Sequence, residues 1–297
     1  MKVEEIVDWA KYAENSGFGY IFRSDHLLPT SGRSLPQGSP ECWVTLGTIA
    51  ASTTRINFGP MVSPIGFRNP ALLAKMALTL HSYSCGRLIL SIGAGWYRSE
   101  YEALGIPFPG LKERKEQFHE ALQIIRPLTE GKRVTFKGKY FSADLEGLPK
   151  PEPSKIHLVI GGKDTQIVRL AASFADELNL VYGSSEVIEK YVKIVENESA
   201  GKSGRIPISQ MGPFFIGETQ TKLESNITRY LRAMGSDSSP RDRIKIFMER
   251  GIFCGTTEEF KSQLEAREKL GVSKFYFQIL DPTNREMVET LVEALRY

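Results

Sequence analysis

An aspartate and a histidine stand side by side in FRSDHLLPT, residues 22–30, directly after an apolar segment that is typical of a buried strand. His26 is one of only four histidines in the chain. An imidazole can exchange a proton near neutral pH, and a neighbouring carboxylate such as Asp25 can orient it. The same pair is also typical of a loop in which Asp25 caps a turn and His26 is structural. If the pair is functional, it predicts that His26 is a general acid or base.

A glycine-rich segment, SIGAGW, ends the clearest strand-like run of the sequence. Gly93 and Gly95 would let the backbone approach a flat ligand, and Trp96 would add an aromatic wall. The segment is a poor dinucleotide fingerprint, because Arg98 stands where G-x-G-x-x-G needs its third glycine. A tight turn between a strand and a helix remains the alternative interpretation.

Two further glycine segments, IGGKDT and YGSSE, each lie between a strand-like run and a helix-like run. In the first, Gly161 and Gly162 precede a helix whose first N–H groups, with Lys163, could bind a phosphate. Gly183 and Ser184 repeat the arrangement in the second. Loops late in a (β/α)8 barrel commonly bind phosphate, although a plain turn is the alternative for each segment.

The segment GPMVSPIGFRNP, residues 59–70, begins as a strand and continues with several turn-forming residues. It predicts a bulge at the rim of a sheet. Arg68 could meet an anion there, but pairing with a surface acid is the expectation we favour. The other histidines have no spacing suited to a metal ion, and we expect structural roles for all three: His81, His119 and His157.

Strand-like and helix-like patterns alternate along the chain, which predicts parallel strands joined by helical crossovers. Strands are predicted near 18–23, 56–62, 88–93, 156–160, 177–182, 208–216 and 274–280. A doubly wound sheet fits this pattern, but the number of strands and the length favour a closed (β/α)8 TIM-type barrel. The chain opens on a helix-like stretch, so we expect either that the usual first strand is missing from it or that another segment fills its place.

No Pro/Ser-rich linker divides the sequence, which predicts a single domain over residues 1–297. The best candidate for an insertion is residues 131–155, where alternating residues suggest a small hairpin and three prolines suggest an exposed return. The net charge of +3 is small and spread along the chain, which argues against a nucleic-acid partner. No apolar run is long enough to span a membrane, and no signal peptide is evident. Three dispersed cysteines indicate a reducing compartment, so we expect a cytoplasmic protein.

Taken together, four segments resemble the bacterial-luciferase-like family of flavin and deazaflavin oxidoreductases. They are AENSGFGYIFRSDHL, RINFGPMVSPIGFRNPALLAKMALTL, SYSCGRLILSIGAGWYRSEYEALGIPF and FCGTTEEFKSQLEAREKLGVSKFYFQ. The resemblance covers about residues 3–280 and is strongest over 3–130. It implies a TIM-type barrel that binds FMN or the deazaflavin coenzyme F420 at the carboxyl ends of its strands. The SDH form of the first motif resembles the F420-dependent members.

The resemblance also implies roles for individual residues. His26 would transfer the proton, and Asp25 would be its neighbour or a contact of the ring. The bulge at Pro60, Met61 and Val62 would back the ring through an unusual cis peptide. The remaining implied contacts line the ring and its side chain or hold the phosphate arm: Gly93, Gly95, Trp96, Gly161, Gly162, Lys163, Gly183 and Ser184.

The chain departs from the family pattern at three further positions. His81 stands where Asp is usual, and Cys85 stands where Gly is usual. Trp96 stands where the sugar-phosphate dehydrogenases of the family carry a catalytic Glu, which argues against a sugar phosphate as the substrate. The resulting hypothesis is hydride transfer between F420 and a small organic alcohol, carbonyl or enoyl substrate. The alternatives are an FMN-dependent monooxygenase and a non-catalytic flavin-binding relative, and a homodimer stays open.

Overall fold

The structure is a computed structural model that describes residues 2–29, 40–146, 150, 152, 155–199 and 204–296. The chain divides into two compact units, Met1–Glu177 and Leu178–Tyr297, each of which is described by itself. Among the helices of the described residues, none has the length and apolar character needed to cross a membrane.

Strands and helices alternate in unit 1. Its strands are β1 Tyr20–Arg23, β2 Asn57–Pro60, β3 Ser63–Pro64, β4 Ile89–Gly93, β5 Val134–Lys137, β6 Ser142–Leu145 and β7 His157–Gly161. Its helices are α1 Val3–Asn15, α2 Cys42–Ser52, α3 Pro70–Tyr83, α4 Arg98–Ala103, α5 Leu111–Thr129 and α6 Thr165–Phe174. Local sequence explains several of the boundaries. Helix α3, for example, begins with Pro70 in its first turn, and the Asn69 side chain accepts from the N–H groups of Ala71 and Leu72.

The main strands of unit 1 are parallel. β1 pairs with β2, β4 pairs with both β3 and β7, and a bridge between Phe58 and Leu88 links the two sets. Because these strands are parallel, their carboxyl ends share one side of the unit, which we call the carboxyl edge. Asp25 and His26 follow β1 at this edge, and Gly93 and Gly161 end β4 and β7 there.

The predicted hairpin is present as the antiparallel pair β5–β6. It packs on α3 and α5 through an apolar cluster that contains Ala74, Ile124, Leu128 and Val134. Six residues of the predicted 131–155 insertion lie outside the described residues: 147–149, 151, 153 and 154.

Unit 2 continues the alternation. Its strands are β8 Glu177–Val181, β9 Ile208–Gly217, β10 Phe253–Thr256 and β11 Lys274–Gln278. Its helices are α7 Ser185–Ser199, α8 Gln220–Ala233, α9 Pro240–Glu249, α10 Thr257–Lys269 and α11 Arg285–Leu295. The first residue of β8, Glu177, is the last residue of unit 1. Strand β9 pairs in parallel with β8, β10 and β11. An aromatic cluster packs β9, β10 and β11 against α10; its members are Phe214, Phe253, Phe260, Phe275 and Phe277.

Two strand predictions needed correction. The segment FCGT forms β10, where no strand was predicted, because a run of four residues that includes a glycine carries little strand pattern. The single strand predicted over 56–62 is instead two short strands, β2 and β3. Between them lies a cis peptide bond joining Met61 to Val62, at the position where the family resemblance implied one.

Candidate functional site

His26 is held by a carboxylate that the sequence did not single out. Its Nδ1 lies 3.0 Å from Oε1 and 3.3 Å from Oε2 of Glu100, in helix α4. The backbone N–H of Leu27 donates to Oε2 of the same carboxylate at 2.9 Å. Glu100 is only 1% exposed, whereas the His26 side chain is 23% exposed. The imidazole is therefore anchored on one nitrogen and accessible from solvent.

Asp25 does not orient His26, contrary to the hypothesis drawn from their adjacency. Its carboxylate is buried and accepts hydrogen bonds from Ser63 Oγ at 2.6 Å and Trp43 Nε1 at 3.3 Å. Arg68 donates to both of its oxygens, at 2.6 and 3.2 Å. Asp25 thus ties the loop after β1 to α2, to β3 and to the segment before α3.

Arg68 pairs with acids, as expected, but one of the two, Asp25, is buried and not at the surface. Arg68 itself is largely buried, and besides Asp25 it donates to Glu41 at 2.5 Å. Burial alone lowers the pKa of Arg68, but hydrogen bonds and charges from Asp25 and Glu41 outweigh it, so the pKa is raised. The guanidinium is therefore a fixed positive charge between two carboxylates.

An aromatic wall stands beside His26. Trp96 is 65% exposed, and its ring meets the His26 ring edge to face at 5.6 Å between centroids. Tyr97 meets His26 in the same way at 6.1 Å, and its hydroxyl donates to the carbonyl of Pro29 at 3.3 Å. The structure therefore brings Trp96 and His26 together, as the sequence-based hypothesis requires.

The Val62 side chain lies between the glycines that end β4 and β7. A Cβ added at Gly93 or at Gly161 would come within 2.7 Å of a Val62 methyl group. Pro60, Met61 and Val62 therefore lie at the same edge of unit 1 as these two glycines. The carboxyl ends of β4 and β7 carry no side chain of their own here.

Position 95 requires glycine for two reasons: its backbone conformation and a buried neighbouring side chain. Its φ is +79°, a region that other residues rarely adopt, and an added Cβ would collide with the hydroxyl of Tyr101. That hydroxyl is buried and makes no hydrogen bond to the residues that the structure describes. Burial and then the charge of Glu100 raise the pKa of Tyr101, so it stays a neutral phenol.

The predicted phosphate segment at Gly162 and Lys163 leads into α6. A Cβ at Gly162 would come 2.7 Å from Ile167, and Lys163 is exposed. The Asp164 side chain already accepts from the N–H of Gln166 at the start of this helix, and Lys115 Nζ lies 3.0 Å from the Asp164 carboxylate. One of the N–H groups expected to meet a phosphate is therefore occupied by a carboxylate.

Gly183 and Ser184 belong to unit 2. The carbonyl of Gly183 accepts from Arg267 Nη2 at 3.2 Å, and the next residue, Ser185, accepts from Arg267 Nη1 at 2.8 Å. Gly251, at φ +74°, packs directly against Gly183. This loop is thus built together with the carboxyl-terminal turn of α10.

The three remaining histidines lie away from this arrangement. The Nδ1 of His81 lies 3.3 Å from the carbonyl of Leu88, and His119 packs edge to face on Phe174. His157 lies 3.2 Å from the buried Glu177 at the amino end of β7. Within the described residues, no group of His, Cys, Asp and Glu side chains could hold a metal ion.

Four buried side chains of the site were missed by the sequence interpretation: Trp43, Ser63, Glu100 and Tyr101. Glu100 has no local signature, because Glu102 in the same short helix is exposed and the sequence does not distinguish them. One feature of the sequence could have identified Glu100. It is an acid four residues after Trp96, at the start of a helix that follows a glycine turn.

The chain is similar in sequence and in structure to proteins of known activity. A family model described as luciferase-like monooxygenase matches residues 1–274. A coenzyme F420-dependent glucose-6-phosphate dehydrogenase of Microbacterium testaceum is 35% identical over 176 residues, which are 58% of this chain and 51% of that protein. An F420-dependent hydroxymycolic acid dehydrogenase of Mycobacterium tuberculosis is 31% identical over 176 residues, 59% of this chain and 48% of that protein. The chain thus spans about half the length of these curated relatives.

Among solved structures, an F420-dependent secondary alcohol dehydrogenase in complex with an F420–acetone adduct superposes with a TM-score of 0.81. The match is 21% identical and covers 100% of this chain and 96% of that one. This similarity confirms the TIM-type (β/α)8 barrel that the sequence predicted.

Proposed function

Because the chain belongs to the luciferase-like monooxygenase family, we propose that it is a coenzyme F420-dependent oxidoreductase. The reaction is hydride transfer between F420 and a small organic alcohol, carbonyl or enoyl substrate. The observation that carries the proposal is His26, which is anchored through Nδ1 on buried Glu100 at the carboxyl edge. The two relatives described above are F420-dependent dehydrogenases, which supports the choice of F420 over FMN.

The residues present fit a flat, tricyclic ring. Gly93 and Gly161 make room for the Val62 side chain, which holds the Met61–Val62 segment at the carboxyl edge, and the exposed face of Trp96 stands near His26. We assign the ring contacts to Pro60, Met61, Val62, Gly93, Gly95 and Trp96. Within unit 1, we assign the phosphate arm to Gly161, Gly162 and Lys163. Gly183 and Ser184 stay a separate prediction for unit 2. The Asp164 carboxylate makes Lys163 and the glycine N–H groups, rather than the first turn of α6, the better donors.

When bound, the deazaflavin supplies a two-electron hydride acceptor or donor. His26 supplies the proton transfer: as an alcohol loses its hydride from carbon, the imidazole takes the proton from its oxygen. Asp25 takes no direct part in this scheme, since Arg68, Ser63 and Trp43 occupy its oxygens. Its role is to hold the loop that carries His26.

Trp96 supports a small and largely apolar substrate. An exposed indole next to His26 offers a large apolar surface and a single N–H donor. The hydroxyl groups and phosphate of a sugar phosphate would need several charged or polar partners instead. We therefore propose a small alcohol, carbonyl or enoyl compound, although relatives are named for glucose 6-phosphate.

Cofactor titration tests the proposal. The purified protein is titrated with F420 and with FMN by fluorescence, and turnover is then measured with 2-propanol and with glucose 6-phosphate. We expect tighter binding of F420 and turnover of 2-propanol. His26→Ala should lower turnover by about 10²–10⁴-fold while F420 affinity changes little. Tighter binding of FMN would support the monooxygenase alternative, and binding without any turnover would support a non-catalytic relative.

A single domain remains our proposal for the organisation of the chain, with residues 131–155 as an insertion. Within unit 1, the β5–β6 hairpin supports the insertion, because it pairs only with itself among the described strands.

A further inference from the structure

The contact between His26 and Glu100 determines more than the position of the ring. An ionised carboxylate can only accept hydrogen bonds. Glu100 already accepts from the N–H of Leu27 and faces Nδ1 of His26 with both oxygens. A neutral imidazole carries one proton, and here that proton must be on Nδ1 for the contact to be a hydrogen bond.

The other groups around the ring do not compete for this proton. Trp96 and Tyr97 approach the ring edge to face, and the Tyr97 hydroxyl donates to a backbone carbonyl. Asp25 is engaged with Arg68. Within the described part of the chain, Nε2 makes no hydrogen bond, and Glu100 has no ion pair with a lysine or an arginine.

We propose that Glu100 is a positioning residue that holds neutral His26 as the Nδ1–H tautomer. Nε2 then carries the free lone pair and is the atom that accepts the substrate proton. The inference rests on the proposed function, in which an alcohol loses a hydride from carbon to the cofactor and a proton from oxygen to Nε2. The positive charge that forms on the imidazole then faces the Glu100 carboxylate, which stabilises it.

A second histidine provides a matched comparison with the opposite geometry. His157 meets buried Glu177 through Nε2, at 3.2 Å, at the other end of the strands. The same reasoning assigns the Nε2–H tautomer to His157. One protein therefore contains two His–Glu pairs for which opposite tautomers are expected.

The tautomers are read from long-range ¹H–¹⁵N correlation spectra of the ¹⁵N-labelled protein without cofactor, recorded over a pH series up to the pH above which the ring ¹⁵N shifts no longer change. We expect Nδ1–H for His26 and Nε2–H for His157. Glu100→Leu should abolish the single Nδ1–H form of His26 and leave His157 unchanged. Glu100→Gln, whose carbonyl can still accept, should keep it. Glu177→Gln is the control and should leave His26 unchanged.

Kinetics provide the second readout. Glu100→Leu should lower kcat by about 10-fold to 10⁴-fold, since a misplaced tautomer removes the proton acceptor, while KM changes little. Glu100→Gln should retain more activity than Glu100→Leu. An Nε2–H tautomer of His26 in the unmodified protein, or an unchanged tautomer in Glu100→Leu, would overturn the inference. Failure to bind F420 would overturn the proposed function instead, because the spectra require neither cofactor nor activity.

Discussion

At the scale of single residues, Asp25 and His26 are neighbours in the chain with separate partners. His26 contacts Glu100, and Asp25 contacts Arg68, Ser63 and Trp43. A buried carboxylate is tolerated only when its charge and its hydrogen bonds are satisfied, and Asp25 meets both conditions. We infer that this cluster holds the backbone from which His26 projects.

Removing Arg68 should therefore be costly. We expect Arg68→Met to lower the free energy of unfolding by about 3–5 kcal/mol, because the Asp25 charge is left buried without its partner. Urea unfolding measures the loss. The double variant Asp25→Asn/Arg68→Met should lose less than the sum of the two single losses.

The exposed pair Arg98–Glu102, four residues apart on α4, is the control for that experiment. Arg98→Ala should cost no more than about 0.5 kcal/mol. Equal, small losses for Arg68→Met and Arg98→Ala would show that the buried pair adds nothing to stability.

Gly161 offers a second test at the residue scale. Gly161→Ala would place a Cβ 2.7 Å from Val62 Cγ1, which overpacks the site and should cost about 1–3 kcal/mol. Val62→Ala in the same chain should recover most of that loss, as a double-mutant cycle would show. Gly19→Ala is the control, since an added Cβ there meets nothing within 4 Å. If the double variant Gly161→Ala/Val62→Ala lost as much stability as Gly161→Ala alone, contact with Val62 would not be the cause of the loss.

At the scale of elements, carboxylates of helices hold loops by accepting several backbone N–H groups. Glu120 of α5 accepts from the N–H groups of Lys139, Tyr140 and Phe141 in the β5–β6 turn. Burial raises the pKa of Glu120, but these N–H groups outweigh it and lower the pKa. One side chain thus anchors the hairpin to the helix that precedes it.

We expect Glu120→Ala to speed amide hydrogen exchange at residues 139–141 by about 10-fold or more, because these amides lose their acceptor. Exchange in the strands β4 and β7 should be unchanged. Glu113→Ala, which removes an exposed acid of the same helix, is the control. Unchanged protection in Glu120→Ala would show that the hairpin is held by its apolar contacts with α5 alone.

At the scale of the whole molecule, two carboxylates tie distant segments together and make stability depend on pH. Burial raises the pKa of Glu14, but the N–H groups of residues 54–56 and the charge of Arg55 outweigh it, so the pKa falls to about 2. Burial also raises the pKa of Asp176, and hydrogen bonds from Arg126, Leu158 and Lys155 then lower it to about 2.

Both groups bind their proton more weakly in the folded chain than in the unfolded chain. Their contribution is therefore complete above the ordinary values of 4.5 and 3.8 and is lost as the pH falls from there towards about 2. We expect Tm to fall across that window in thermal melts at a series of pH values. Asp176→Asn should make the fall of Tm with decreasing pH less steep. An unchanged dependence of Tm on pH in this variant would contradict the lowered pKa of Asp176.

The sequence by itself determined the alternation of elements and the segments in which the candidate site residues lie. Hydrophobic periodicity and glycine turns are local properties, so most strands, the hairpin at 134–145 and the glycine-ended β4 and β7 were predictable. The short strand β10 was not, because four residues carry too little pattern. The motifs around His26, Val62 and Gly93 likewise led to the family that the comparison confirms.

Only the tertiary structure decided which side chains meet. Glu100 lies 74 residues from His26 and Arg68 lies 43 residues from Asp25, and no local pattern connects either pair. Adjacent residues at the end of a strand point in different directions, which is why Asp25 and His26 do not share a partner. Parallel strands bring their carboxyl ends together, and that proximity, rather than adjacency in the sequence, selects Glu100 as the partner of His26.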